Sequence, residues 1–234
     1  MLPKLDNPTY ELELPSTGEI VKYRPFLVKE QKVLMLAMES EKANQMKETM
    51  AQLISTCTFE QIDPYKVPMF DIEYMFLQIR GKSAGETVEL SVICPDDEKT
   101  STTIKINLSE VGVQMKNEHT NEIEVTDSIK IIMRYPSLND YSTLDTDQGN
   151  AQALFSMLDN CIEEIHEGDK IHHKVDISEG ELTEFIDSLP SDVMEKIGEF
   201  FESMPKLQHV VKVKNPKTKK TRELKVEGLQ SFLV

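Results

Sequence analysis

The chain is short of positive charge. Its 26 lysines and arginines face 41 aspartates and glutamates, which leaves a net charge of −15 at neutral pH. Neutralising nucleic-acid phosphates takes a surplus of Lys and Arg, so the composition excludes a nucleic-acid binder. The same deficit excludes adhesion to anionic membranes. Glycine is also scarce, with nine in 234 residues, about half the usual share of roughly 7%. Little is left for phosphate-cradling loops. The three cysteines, Cys57, Cys94 and Cys161, are odd in number and widely spaced, which points to reduced thiols rather than a disulfide framework. No run approaches the roughly 18 apolar residues of a membrane span. The opening Met1 to Pro8 lacks the apolar core of a signal peptide. No G-x-S-x-G, H-E-x-x-H or Walker-type spacing occurs. What remains is an acidic chain, 39% hydrophobic, long enough to bury a core.

Periodicity divides the chain into elements. Tyr10 to Leu14 alternates with period two, Pro15-Ser16-Thr17-Gly18 is turn chemistry, and Ile20 to Arg24 resumes extended structure. Val28 to Glu39 and Lys42 to Cys57 read as helices, the second with Met46, Met50, Leu53, Ile54 and Cys57 on its core face. Asp71 is placed as the N-cap of a third helix through Lys82, with Ile72, Met75, Phe76 and Ile79 inward. Thr87 to Ile93 and Thr102 to Leu108 read as strands around Cys94-Pro95-Asp96-Asp97-Glu98-Lys99. In the second half, Ile129 to Arg134 reads as a strand, followed by a polar segment through Gly149. Ala151 to Ile165 reads as one helix with Leu154, Phe155, Leu158, Ile162 and Ile165 aligned. A polar stretch holding His172 and His173 leads to helices over Glu179 to Leu189 and Ser191 to Met204. Gln208 to Lys214 and Arg222 to Val226 form a final hairpin.

The order of elements repeats. Val21-Lys22-Tyr23-Arg24-Pro25 corresponds to Ile132-Met133-Arg134-Tyr135-Pro136, and the helix ending at Cys57 to the helix ending at Cys161. Both halves close in a hairpin whose first strand is followed by a proline, at Cys94-Pro95 and Asn215-Pro216. The expected architecture is therefore α+β, with two related strand–helices–hairpin units at 1–113 and 122–234 and a break near 113–123.

Few residues suggest chemistry. A strand–Cys-Pro-x-x–strand turn has the shape of a zinc knuckle, which needs two cysteines per turn. Here Asp97 stands in the partner position of Cys94, and the second turn offers Asn215 and Thr218. The expectation is a zinc-ribbon-like hairpin without metal ligands, and no cofactor. His172 and His173, near Asp169 and Asp176, would point to opposite faces of a strand and not converge. Cys57 and Cys161 read as core residues. Acidic runs such as Glu163-Glu164 and Asp96-Asp97-Glu98 read as solvated faces. Against the acidic background, Lys212, Lys214, Lys217, Lys219, Lys220 and Arg222 form one basic cluster suited to an acidic partner surface. Twelve methionines, several on the first helices, suit adaptable packing or a partner groove.

Several segments together resemble the baseplate hub protein family of T-even-type contractile-tailed bacteriophages. They are Met1 to Leu5, Pro15-Ser16-Thr17-Gly18, Tyr23 to Glu30, Phe70 to Arg80, and the closing Val226 to Phe232. The resemblance spans most of the chain and is densest over residues 1–94. It implies a non-enzymatic subunit or assembly factor of the central hub. Its partners would be other hub proteins, with neither nucleic acid nor membrane among them. It implies assembly in the host cytoplasm and leaves the virion baseplate open as a final location. It also implies cysteine pairs at the hairpin turns, of which this chain keeps only Cys94. The readings set against it are a metal-binding adaptor and a hydrolase using carboxylates or His172 and His173.

Overall fold

The computed structural model describes residues 6–40, 43–143 and 150–232. Met1 to Leu5, Lys42, and Leu144 to Gly149 lie outside the described residues. The elements are of mixed type, helices with small antiparallel sheets. The chain divides into two compact units, Met1–Gln114 with Lys206–Val234, and Met115–Pro205. The expected units at 1–113 and 122–234 rest on element order alone. The compact units differ from them because residues 206–234 belong with the N-terminal part.

In the first unit, β1 (Tyr10–Glu13) pairs with β2 (Ile20–Tyr23). Its turn closes at Gly18, whose positive φ of 73° suits a residue without a Cβ. Three helices follow, α1 (Val28–Glu39), α2 (Ala43–Cys57) and α3 (Met69–Ala84). Met50, Leu53, Ile54 and Cys57 of α2 and Ile72, Met75, Phe76 and Ile79 of α3 are all buried in one core, as their spacing predicts. Asp71 differs from expectation. Pro68 is the N-cap, its carbonyl accepting from Asp71 N (3.0 Å) and Ile72 N (3.3 Å). Asp71 sits in the first helical turn and accepts from the backbone N–H (3.1 Å) and hydroxyl of Ser16. β3 (Thr87–Ile93) and β4 (Ser101–Asn107) form a hairpin. A short β5 (Gly112–Gln114) edges a three-stranded sheet completed by the C-terminal hairpin.

The second unit is built on a four-stranded antiparallel sheet. Its strands are β6 (Glu122–Thr126), β7 (Ile129–Met133), β8 (Ile162–Glu167) and β9 (Lys170–His173), in that order. Helix α4 (Leu138–Thr143) falls in the segment read only as polar, and α5 (Asn150–Cys161) ends four residues before the expected Ile165. Ile162 and Ile165 continue the helical spacing, yet they pair with Met133 and Ile131 of β7. Strand pairing supplies β7 with its second hydrogen-bonded neighbour and overrides local propensity. Phe155, expected to face inward, is exposed. Helices α6 (Glu179–Asp187) and α7 (Ser191–Ser203) complete the unit, α6 starting in a Ser178–Glu181 capping box. Leu158, Ile162, Val193, Ile197 and Phe200 form its separate core. The chain then returns to the first unit as β10 (Lys206–Lys214) and β11 (Thr221–Glu227).

One local arrangement occurs twice. Arg24 N donates to Cys57 O (2.9 Å), and Arg134 N donates to Cys161 O (2.8 Å). Each guanidinium then bonds a carboxylate six residues on, Arg24 to Glu30 (2.9 Å) and Arg134 to Asp140 (2.8 Å). Each carboxylate also accepts the backbone N–H three residues before it, from Leu27 or Ser137, at 2.7 Å. The hydrogen bonds align Arg24 with Arg134. That register is one residue away from the one obtained by aligning Pro25 with Pro136.

Candidate functional site

The two hairpin tips of the first unit are assembled alike. Cys94 N donates to Thr100 O (2.7 Å) and Asn215 N to Lys220 O (2.9 Å). Glu98 N donates back to Cys94 O, and Lys219 N to Asn215 O, both at 3.0 Å. Glu98 and Lys219 take the same left-handed conformation, with φ of 52° and 62°. Cys94 and Asn215 are both fully buried. Within the first tip, Asp97 accepts from Thr100 N (2.9 Å) and Thr100 Oγ1 (2.6 Å). Within the second, Asn215 Oδ1 accepts from Lys217 N (2.8 Å) and Thr218 N (3.2 Å).

The tips are joined through Asp96. Asn215 Nδ2 donates to Asp96 Oδ1 (2.8 Å), and the Thr218 hydroxyl donates to Asp96 Oδ2. Hydrogen bonds from Thr218 and then Asn215 hold the Asp96 carboxyl below the usual carboxylate range. Asp97 is lowered as well, first by hydrogen bonds from Thr100 and then from Asn215. The positions a zinc ribbon would fill with thiolates, Cys94, Asp97, Asn215 and Thr218, thus belong to one hydrogen-bonded junction. Among the described residues, no group of three or more His, Cys, Asp or Glu could hold a metal ion. Burial, then the charges of Asp96 and Asp97, pushes the Cys94 thiol up.

Beyond this junction stand the six expected cations. Lys212, Lys214, Lys217, Lys219, Lys220 and Arg222 are exposed. Each is without an ion pair to a described residue. Strand alternation places Lys212 and Lys214 on the face that also carries half-exposed Val210. A second exposed surface of this unit is α1, which leaves Val28, Val33, Met35, Leu36 and Met38 in solvent. Sequence reading placed methionines there but had no means to tell an outward face from a core face.

The remaining candidates do not converge on a reaction. His172 and His173 lie on β9 and engage different carboxylates, Glu167 (3.6 Å) and Glu164 (3.1 Å). Cys57 and Cys161 are fully buried, and burial raises their thiol pKa values to about 11 and about 12. One contact escaped the sequence reading. His119 bridges Ser203 Oγ (2.9 Å) and Tyr135 OH (3.0 Å) and packs on the Phe200 ring. Burial lowers its pKa. Its second nitrogen meets a phenol rather than a carboxylate, so the orienting acid of a nucleophilic triad is missing from this arrangement. The group acts as a polar clasp on α7.

Among the described residues, no helix is long and apolar enough to cross a membrane. No curated protein and no solved structure matches the chain. A family model described as T4 bacteriophage base plate protein matches residues 7–234, which takes in both units and both hairpin tips. The chain belongs to the T4 bacteriophage base plate protein family.

Proposed function

We propose that the chain is a subunit or assembly factor of the baseplate's central hub, acting without catalysis through protein contacts. In this reading Lys212, Lys214, Lys217, Lys219, Lys220 and Arg222 form the docking group for an acidic protein surface within the hub. The observation that carries it is the basic hairpin itself. Six cations without an ion pair to a described residue project from a hairpin whose tip the Asp96–Asn215–Thr218 bonds hold in place, in a chain whose net charge is −15. A rigidly presented charged group steers encounter and fixes orientation. The exposed apolar side chains of α1 supply a second contact in the same reading, since burying them on a partner is favourable. Assembly takes place in the host cytoplasm, and the partners are the other hub proteins. Phage lacking this gene are expected to make tails without a complete hub, visible by electron microscopy. Normal baseplates from such phage would overturn the reading.

A further inference from the structure

The charge is divided sharply between the two units. Residues 1–114 and 206–234 together hold 20 Lys or Arg and 20 Asp or Glu, and are neutral. Residues 115–205 hold six Lys or Arg and 21 Asp or Glu, and so carry the entire net charge of −15. Within the neutral unit, residues 206–227 concentrate eight Lys or Arg against two Glu. One chain therefore carries both a basic hairpin and a strongly acidic unit.

The acidic unit also presents a recess. β6 and α7 wall an open cleft of about 700 Å³. Strand alternation turns Glu122 and Glu124 outward, on either side of buried Ile123, and both share Lys130 (3.4 and 4.0 Å). Glu118, Glu199 and Glu202 line the same cleft without an ion pair to a described residue. Lys196 is occupied by the Glu124 carbonyl (2.9 Å) and by Asp192 (3.9 Å).

We propose that the β10–β11 hairpin of one copy docks on the acidic second unit of another copy, with its lysine tip against Glu118, Glu199 and Glu202. This rests on the reading of the hairpin as a docking group and makes a second copy of this chain one of its neighbours. The two faces of such a contact differ, so the association is heterologous and builds rings or open chains rather than a symmetric dimer. Because exposed charges carry it, added salt screens it.

Sedimentation of the full chain over a range of concentrations tests this. The expected result is self-association in about 50 mM salt that weakens at least tenfold in about 500 mM salt, where the screening length is several-fold shorter. Two variants separate the faces, Lys217→Gln/Lys219→Gln/Lys220→Gln and Glu118→Gln/Glu199→Gln/Glu202→Gln. All six positions are exposed, so unchanged melting curves confirm folding. Each variant alone is expected to remain monomeric. Mixed in equal amounts they are expected to form dimers and nothing larger, because only one competent pair of faces survives. A wild-type chain that stays monomeric at low salt would overturn the proposal, as would association that either variant leaves intact. If the wild type is monomeric but the lysine variant still fails to complete baseplates in infected cells, the docking reading stands and only the second-copy inference falls.

Discussion

Arg24 and Arg134 leave their hairpins in the same manner, each bonded to the carbonyl of a helix-ending cysteine and to a carboxylate six residues on. Their surroundings differ. The side chains of Arg24 and Glu30 are 11% and 6% exposed. Those of Arg134 and Asp140 are 34% and 5% exposed; Arg134 also approaches exposed Glu163 (3.7 Å), while Asp140 keeps the Ser137 backbone N–H and hydroxyl. Both carboxylates are thus enclosed, and the clamps differ in the arginine, which is enclosed in the first and partly open to water in the second. After the clamp the chains also diverge. Cys57 leads through left-handed Phe59 and Glu60 toward α3, whereas Cys161 passes straight into β8. The same wiring at a helix end is therefore compatible with two different continuations, and the surroundings set how much each clamp contributes.

Arginine deletion tests that contrast and carries the largest expected effect. Arg24→Ala leaves the buried Glu30 carboxylate with the Leu27 backbone N–H and the exposed Lys29 (3.4 Å), and is expected to cost about 3 kcal/mol, since breaking a buried pair leaves a poorly compensated charge. Arg134→Ala is expected to cost less, about 1 kcal/mol, because Asp140 retains two Ser137 donors and the arginine it loses is already partly open to water. Urea denaturation of both variants gives the values. Equal losses would mean that the difference in exposure has no energetic weight.

The two hairpin tips offer a second contrast. Asn215→Ala removes the amide that bonds Asp96 and caps its own turn, and is expected to cost about 2 kcal/mol. Cys94→Ser, at the equivalent position of the other tip, replaces one small buried side chain with another and is expected to cost less, about 1 kcal/mol. Thermal melts of the two variants compare them directly. If Cys94→Ser costs as much as Asn215→Ala, the junction depends on both tips rather than on the Asn215 amide.

The smallest effects come from pH. The pKa of His119 is lowered in the folded chain, so its contribution is present above the unfolded value of about 6.5 and is lost as pH falls through that region. Asp96 and Asp97 are also lowered, so theirs is present above about 3.9 and is lost as pH falls further. Hydrogen exchange, corrected for intrinsic rates, is therefore expected to rise around residues 119 and 203 between pH 7.5 and 5. Around residues 94–100 and 215–220 it should rise only below about pH 4. The opposite order would contradict the assignment of these groups.

Much of this was legible in the residues. The apolar stripes of α2 and α3 named their buried faces, and the proline after each first strand located both tips. The continuation beyond Cys161 was not legible, because Ile162 and Ile165 satisfy helical spacing and only the needs of β7 draw them into a strand. The arginine register was off by one residue, since proline is easier to align than a hydrogen bond. The deficit of cations was countable from the start. Its concentration in residues 115–205 becomes visible only once the compact units are known. The same holds for Glu118, which lies far along the chain from Glu199 and Glu202 and joins them only when the second unit folds.

Complementation of phage deleted for this gene tests the central claim most directly. Infected cells supply either the wild-type chain or the folded Lys217→Gln/Lys219→Gln/Lys220→Gln variant, and complete baseplates are counted by electron microscopy. The account predicts that the wild type restores assembly and that the variant restores at most about a tenth of it, in line with losing roughly 1.4 kcal/mol or more of contact energy. Full restoration by the variant would contradict the claim that this hairpin is where the protein docks.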